Sequence, residues 1–287
     1  MSRVIYVDGQ YAPWGEASVH AEDRGFQFGD AVYEVCEVAK GHLVDETRHI
    51  ARLARSLKEL DMAMPMSAAA LARVMRETVR RNRVRDGILY LQVSRGVAPR
   101  DFLYSGNDSL SPTLVCLARS VSMAKVEAQA VVGIAVKTMP DIRWGRCDIK
   151  TVMLLPSVLA KEAAKAEGGK EAWLVDRDGK VTEGASSNAW IIDADGRLVT
   201  RQADRGILRG VTRTTVIDLL GREGMELVER PFSVAEAKQA REAFITSATN
   251  TVMPVVRIDE TTIGDGKPGP FTRKLRAEFH SVAEIAP

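Results

Sequence analysis

The chain has 287 residues, enough for one large or two modest domains with real cores. Hydrophobic residues make up 45% and charged residues 27%, ordinary for a soluble globular protein, and no apolar run approaches membrane-spanning length. Its 40 basic and 38 acidic residues leave a formal charge of +2, spread along the chain, so no nucleic-acid footprint is visible.

The opening reads as a meander, Val4–Val7, a turn at Asp8-Gly9, then Tyr11 to Ala17. A strand follows over Gly29–Val38, returning after Gly41 through His42-Leu43-Val44. From Thr47 the period becomes helical, with Ile50, Leu53, Leu57 and Leu60 on one face. Ser67–Asn82 is a second amphipathic helix with Ser67 as its N-cap, and its basic end Arg80-Arg81-Asn82-Arg83 is a solvated patch. Gly87–Ser94 and Thr113–Ala118 read as strands. This first α+β domain spans 1–121, and Ser122–Lys125 is the linker.

A larger, mixed, β-rich domain is expected over 126–287, making the whole an α/β protein. It opens with a strand over Val131–Thr138 and a helix over Val152–Glu167 that ends at Gly168-Gly169. Strands then cover Ala172–Val175, Asn188–Asp193 and Arg197–Thr200, and a helix begins at Gly210-Val211-Thr212. Strands at Glu226–Arg230, Ala243–Ser247 and Met253–Ile258 complete the sheet, and Pro270 starts the last helix.

Cys36, Cys116 and Cys147 lack metal-ligand spacing, and an odd count argues against a disulfide framework. None of the four histidines has zinc-type spacing. No metal is expected, and a reduced cytoplasmic setting fits. The start, Met1-Ser2-Arg3-Val4-Ile5-Tyr6, is read as running into a strand without a signal segment.

The chemistry concentrates in Arg146-Cys147-Asp148-Ile149-Lys150-Thr151 and, further on, Glu183-Gly184-Ala185-Ser186-Ser187-Asn188. An amine for a Schiff base and a carboxylate that keeps a pyridine nitrogen protonated are what pyridoxal phosphate chemistry needs. A carboxylate about 4 Å from a pyridinium, at an effective dielectric of about 20, gains roughly 4 kcal/mol, or about three pKa units. A phosphate wants backbone donors at a helix start and small hydroxyls. Leu208-Arg209-Gly210-Val211-Thr212-Arg213 offers both, although from that segment alone a glycine-led turn with Thr212 as a helix cap is the favoured reading; Thr246-Ser247-Ala248-Thr249 is a second hydroxyl-rich strand end.

Three motifs together, Glu183-x4-Asn188-Ala189-aromatic, Leu198-x-Thr200 and Leu208-x-Gly210-Val211-x-Arg213, resemble the signature of class IV pyridoxal phosphate aminotransferases. Trp190 stands where that pattern has Phe or Tyr. Asp23-Arg24-Gly25-Phe26-Gln27-Phe28-Gly29-Asp30-Ala31-Val32-Tyr33-Glu34-Val35 and Ile142-Arg143-Trp144 resemble the D-amino-acid aminotransferase branch. Branched-chain aminotransferases and aminodeoxychorismate lyases share the fold but match the first block less well.

The resemblance implies fold type IV, with pyridoxal 5'-phosphate in a cleft between two domains. Lys150 would carry the Schiff base and then move the proton, and Glu183 would face the pyridine nitrogen. Arg52, Val211, Thr212 and, with a looser match, Thr249 would hold the phosphate, while Ser186 and Asn188 would support the Glu183 turn and the cofactor face. Without the resemblance, Arg52 reads as an exposed helix arginine and Asn188 as a turn residue. Tyr33 and Arg100 would bind the substrate carboxylate, Arg100 being lent by the partner of a homodimer. Arg95 reads as structural. The branch usually has His two residues after that arginine; here it is Phe102, which makes the rim more apolar.

The expected reaction is ping-pong transfer of an amino group from a D-amino acid such as D-alanine to a 2-oxo acid such as 2-oxoglutarate. Some activity on (R)-primary amines is expected from Phe102. The D preference is inherited from the resemblance. The alternatives are an (R)-selective amine transaminase, a branched-chain aminotransferase, a lyase relative and a non-catalytic phosphate-ligand-binding relative.

Overall fold

In a computed structural model, which describes residues 3–104, 110–223 and 226–286, the chain divides into two units. Met1 and Ser2, which precede the expected first strand, lie outside the described residues. One unit comprises Met1–Met123, Ile149–Met153 and Glu284–Pro287; the other comprises Ala124–Asp148 and Leu154–Ala283.

In the first unit, β1 (Val4–Val7) turns through Asp8 (φ 41°) and Gly9 (φ 94°) into β2 (Gln10–Pro13). The other strands are β3 (Ala31–Ala39), β4 (His42–Leu43), β5 (Gly87–Ser94) and β6 (Thr113–Ser120). They form an antiparallel sheet in the order β2-β1-β6-β5-β3-β4. A short helix α1 (Arg24–Phe28) precedes β3, capped by the Asp23 carboxylate and ended by Gly29 at φ 69°. Helices α2 (Glu46–Glu59) and α3 (Ala68–Arg81) follow the expected period, and Ser67 caps α3 by accepting from Ala70 N. Leu53 and Leu57 of α2 and Leu71 and Met75 of α3 bury their apolar faces in one core with Cys36, Leu89 and Leu91 of the sheet.

The segment Ile149–Met153 differs from expectation: the sequence reading put it with the second domain, whereas it belongs to the first unit. The cause is backbone pairing along β3. Tyr33 N–H donates to Lys150 C=O at 3.0 Å, Val152 N–H donates to Ala31 C=O at 3.1 Å, and Ile149 joins the core.

Helix α4 (Met123–Val132) leads into the second unit, where a linker and the start of a strand were expected, and β7 (Ile134–Pro140) follows. Next come α5 (Leu155–Ala166), β8 (Glu171–Val175), β9 (Lys180–Gly184), β10 (Asn188–Ile192) and β11 (Leu198–Thr200). After these lie α6 (Val211–Glu223), β12 (Leu227–Glu229), β13 (Phe232–Ser233) and α7 (Val234–Lys238). The unit ends with β14 (Glu242–Ser247), β15 (Thr251–Ile258), β16 (Thr261–Thr262) and α8 (Pro270–Val282).

The sheet runs β12-β11-β10-β14-β15-β7-β8-β9-β13, with β16 hydrogen-bonded to β15. It is mixed: β7 is parallel to β8 and β15, and β10 is antiparallel to β11 and β14. Strand β10 is buried along its whole length, so no alternating pattern marks it. Trp190, the departure from the family pattern, stacks on Phe244 with ring centroids 5.5 Å apart and donates from its indole N–H to Thr246 Oγ1 at 2.9 Å.

Candidate active site

The residues singled out in the sequence divide between the two units. In the first unit, β3 alternates so that Tyr33 is half-buried while Glu34 is fully buried. The Lys150 Nζ lies 4.2 Å from the centroid of the Tyr33 ring, and the two residues share the backbone bond described above. On the neighbouring strand, Tyr90 stacks on Tyr33 at 5.6 Å and donates its hydroxyl proton to Gln92 Oε1 at 2.7 Å. Burial, helped by Tyr33, pushes the Tyr90 phenol up to about 12, so it remains a donor.

Glu34 explains where Arg52 points. The Arg52 Nε–H donates to Glu34 Oε1 at 2.8 Å and one of its NH2 groups donates to Oε2 at 2.7 Å. Glu34 Oε2 also accepts from His49 Nδ1 at 2.7 Å. Burial alone would raise the Glu34 carboxyl, but Arg52 and His49 outweigh it and hold the group at about 2. Burial drives His49 the other way, towards the neutral ring, against the pull of Glu34. Arg52 is therefore a half-buried, oriented cation rather than an exposed helix arginine.

Arg100 and Phe102 occupy a stretch after β5, both exposed in the chain, Phe102 at 82%. The Arg100 guanidinium lies 4.9 Å from the centroid of Phe28, and the Phe28 and Phe102 rings are 5.6 Å apart. Arg24 ties this stretch down by donating to Asp101 C=O at 2.7 Å while its Nε–H bonds Asp30. Arg95 is structural: it donates to Leu60 C=O and Asp61 C=O at the end of α2 and pairs with Asp30.

In the second unit, Glu183 sits near the end of β9, 5% exposed. Arg143 donates to its Oε1 at 2.5 Å, Asn188 Nδ2–H donates to Oε2 at 2.9 Å, and Leu208 N–H lies 3.1 Å from Oε1. Asn188 also donates to Leu208 C=O at 2.9 Å. That one amide links Glu183 to the segment that leads into α6. Gly210 is required there: a Cβ would come within 2.1 Å of Asn188 Oδ1. Val211 and Thr212, both buried, open α6, and the first N–H groups of a helix have no partner within it.

Ser186 lies in the turn between β9 and β10. It donates to Glu171 Oε2 at 2.7 Å and accepts from Lys161 Nζ at 2.9 Å, so its partners belong to the turn. Thr249, in the β14–β15 turn, is exposed and lies 3.3 Å from Ser247 through the two hydroxyls. The β10–β14 register puts Asn188 opposite Thr246, just before that turn.

Arg143 was read only as part of a motif, and Asp141, Glu34 and His49 went unassigned. Their signals were present. A glutamate between core positions of an alternating strand demands a cation, and the Asp141-x-Arg143 pair directly follows a strand. Among the described residues no group of three or more His, Cys, Asp or Glu side chains could hold a metal, and no helix is long and apolar enough to cross a membrane. Cys147 is no ready nucleophile, since burial outweighs Arg143 and pushes its thiol up to about 11.

Each unit carries donor chemistry that suits pyridoxal phosphate: in the first an amine and an oriented guanidinium, in the second a carboxylate that accepts from a guanidinium and an amide and a glycine-led helix start suited to a phosphate. A family model for class IV aminotransferases matches residues 31–258. The chain belongs to that family. It is a pyridoxal-phosphate-dependent aminotransferase with the type IV fold.

Among its class IV relatives, the D-alanine aminotransferase of Bacillus licheniformis is 40% identical over 277 residues, 96% of each chain. That of Staphylococcus haemolyticus is 37% identical over 280 residues, 98% of each chain. The branched-chain amino acid aminotransferase of Escherichia coli has the same fold, with a TM-score of 0.87 at 22% identity over 98% of this chain and 95% of that one.

Proposed function

We propose that this aminotransferase moves the amino group of a D-amino acid, D-alanine among them, to a 2-oxo acid such as 2-oxoglutarate. What carries the reading is the meeting of Lys150 with Tyr33 in a chain whose nearly full-length relatives at 35–40% identity are named D-alanine aminotransferases. The bound cofactor supplies an electrophilic carbon and a cationic ring that accepts the electron pair left at the substrate Cα.

The protein does the rest. Lys150 would hold the cofactor through its side-chain amine, and the same amine, when free, would take the proton from the substrate Cα. The face of Tyr33 steadies the Lys150 ammonium when the proton resides there. Glu183 keeps the ring nitrogen protonated. Arg52 in the first unit, and in the second the N–H groups of Val211 and Thr212 and the Thr249 hydroxyl, would be the phosphate donors. Arg100 and Tyr33 bind the substrate carboxylate. The exposure of Arg100 and Phe102 supports a homodimer in which this stretch serves the partner's site. The small-molecule reaction and the three cysteines without disulfide partners fit a cytoplasmic enzyme.

Phe102 favours a second activity. A bare phenyl ring beside Arg100 lowers the polarity of the rim, so (R)-primary amines are accepted as slower donors. The test is a donor panel of D-alanine, L-leucine and (R)-phenylethylamine against pyruvate and 2-oxoglutarate. D-alanine should be fastest and L-leucine negligible; preference for L-leucine would overturn the reading in favour of a branched-chain enzyme.

A further inference from the structure

Glu183 does not act with its charge alone. Arg143 donates to it at 2.5 Å, yet the same guanidinium is gripped from the other side by Asp141: Nε–H to Oδ1 at 2.9 Å and NH2 to Oδ2 at 2.7 Å. Asp141 is fixed in turn by the Arg143 backbone N–H at 3.1 Å and by the Thr182 hydroxyl at 2.7 Å. All three charged side chains are largely buried, at 11–13% exposure for Asp141 and Arg143 and 6% for Glu183. The result is a chain of charges, minus, plus, minus, with a net charge of one negative.

That arithmetic decides what Glu183 can do. A carboxylate paired with an uncompensated arginine is, at a distance, nearly neutral and a poor partner for a second cation. A carboxylate whose arginine is already neutralised by a second acid keeps its full attraction. Arg143 orients Glu183 through a directional hydrogen bond, and Asp141 cancels the charge that this orientation would otherwise cost.

We propose that Asp141 is a positioning residue of this aminotransferase: through Arg143 it preserves the negative potential at Glu183 and so keeps the cofactor's ring nitrogen protonated. The inference rests on the placement of Glu183 at that nitrogen. Thr182, whose one hydroxyl proton points to the nearer Asp141 Oδ2 at 2.7 Å, holds Asp141 without adding charge.

The test reads protonation directly, by nitrogen-15 NMR of ring-labelled cofactor in the reconstituted holoenzyme. Asp141→Asn and Asp141→Gln, which differ in shape but are both neutral, are compared with the parent, with Thr182→Val and with Glu183→Gln. Only protein whose circular dichroism and cofactor content match the parent is used. We expect both neutral Asp141 variants to move the resonance towards the neutral-pyridine position, with an apparent pKa lower by on the order of one unit. Asp141→Glu and Thr182→Val should keep the parental resonance. If the neutral variants keep it while Glu183→Gln loses it, the role of Asp141 is refuted and that of Glu183 stands. If Thr182→Val shifts it as far as Asp141→Asn does, packing rather than charge is responsible and the proposal fails. If Glu183→Gln keeps it, the placement of Glu183 itself falls.

Discussion

At the scale of single residues, the clearest energetic statement concerns Glu34. Its carboxyl is held at about 2 in the folded chain against a usual 4.5, because Arg52 and His49 overcome the burial penalty. A depressed folded pKa gives stability that is present above 4.5 and is lost as the pH falls towards 2. The contribution is on the order of 3 kcal/mol. Glu34→Gln should therefore destabilise the protein by roughly 3–5 kcal/mol at neutral pH and flatten the acid limb of a urea-unfolding series; an unchanged acid limb would show that the pair adds nothing. Phe102 makes a different kind of statement. Phe102→His restores a donor beside Arg100, and a charge-assisted hydrogen bond of about 1.5–3 kcal/mol corresponds to a rise of tenfold or more in the ratio of D-alanine to (R)-phenylethylamine turnover. An unchanged ratio would detach this position from specificity.

At the scale of elements, the start of α6 can be perturbed by one methyl group. Gly210→Ala would bring its Cβ within 2.1 Å of Asn188 Oδ1, so either the helix start or the amide must move. Because Asn188 also holds Glu183, both the start of α6 and the carboxylate lose their alignment. The expected result is weaker cofactor binding by about tenfold or more, at a cost of about 1–3 kcal/mol, measured as the dissociation constant for pyridoxal phosphate; unaltered affinity would separate this loop from the cofactor. The periodic elements were legible in the sequence. Leu53 and Leu57 in α2, Leu71 and Met75 in α3, and Pro270 at the start of α8 carry local signals of helix face or helix start. Helix α4 was not legible, because its last residues, Val131 and Val132, are exposed β-branched apolars that read as a strand. Strand β9 hid because it buries the polar Thr182 and Glu183, whose partners Asp141 and Arg143 lie about forty positions upstream. The site followed the same division: Lys150 and Glu183 stood out by motif, whereas the Glu34–Arg52 and Asp141–Arg143 pairings are tertiary contacts that no local pattern displays.

At the scale of the whole molecule, the chain passes between the two units at Met123, at Asp148, at Met153 and at Ala283, so neither unit is a single continuous segment. Ile149–Met153 brings Lys150 to β3, and the tail brings Glu284 to the start of α2. Helix α2 needs that visit. Its N-cap, Asp45, has φ 54° and makes no side-chain cap bond, and the missing acceptor is the carboxylate of Glu284, 237 positions beyond Thr47. Glu284 accepts from Thr47 N–H at 3.2 Å and from the Thr47 hydroxyl at 2.7 Å, while Asp45 N–H donates to Glu284 C=O at 2.7 Å and Val44 bridges Ile285. A carboxylate at a helix N-terminus is stabilised by both the orphan donors and the helix dipole. Glu284→Ala should cost about 1 kcal/mol, which in scanning calorimetry lowers the transition of the first unit by roughly 3–6 °C. Glu284→Gln, which keeps an acceptor but loses the charge, should recover part of the loss. Because these contacts all lie within one unit, a protein in which Glu284→Ala left that transition unmoved would have its α2 start held by something other than the tail.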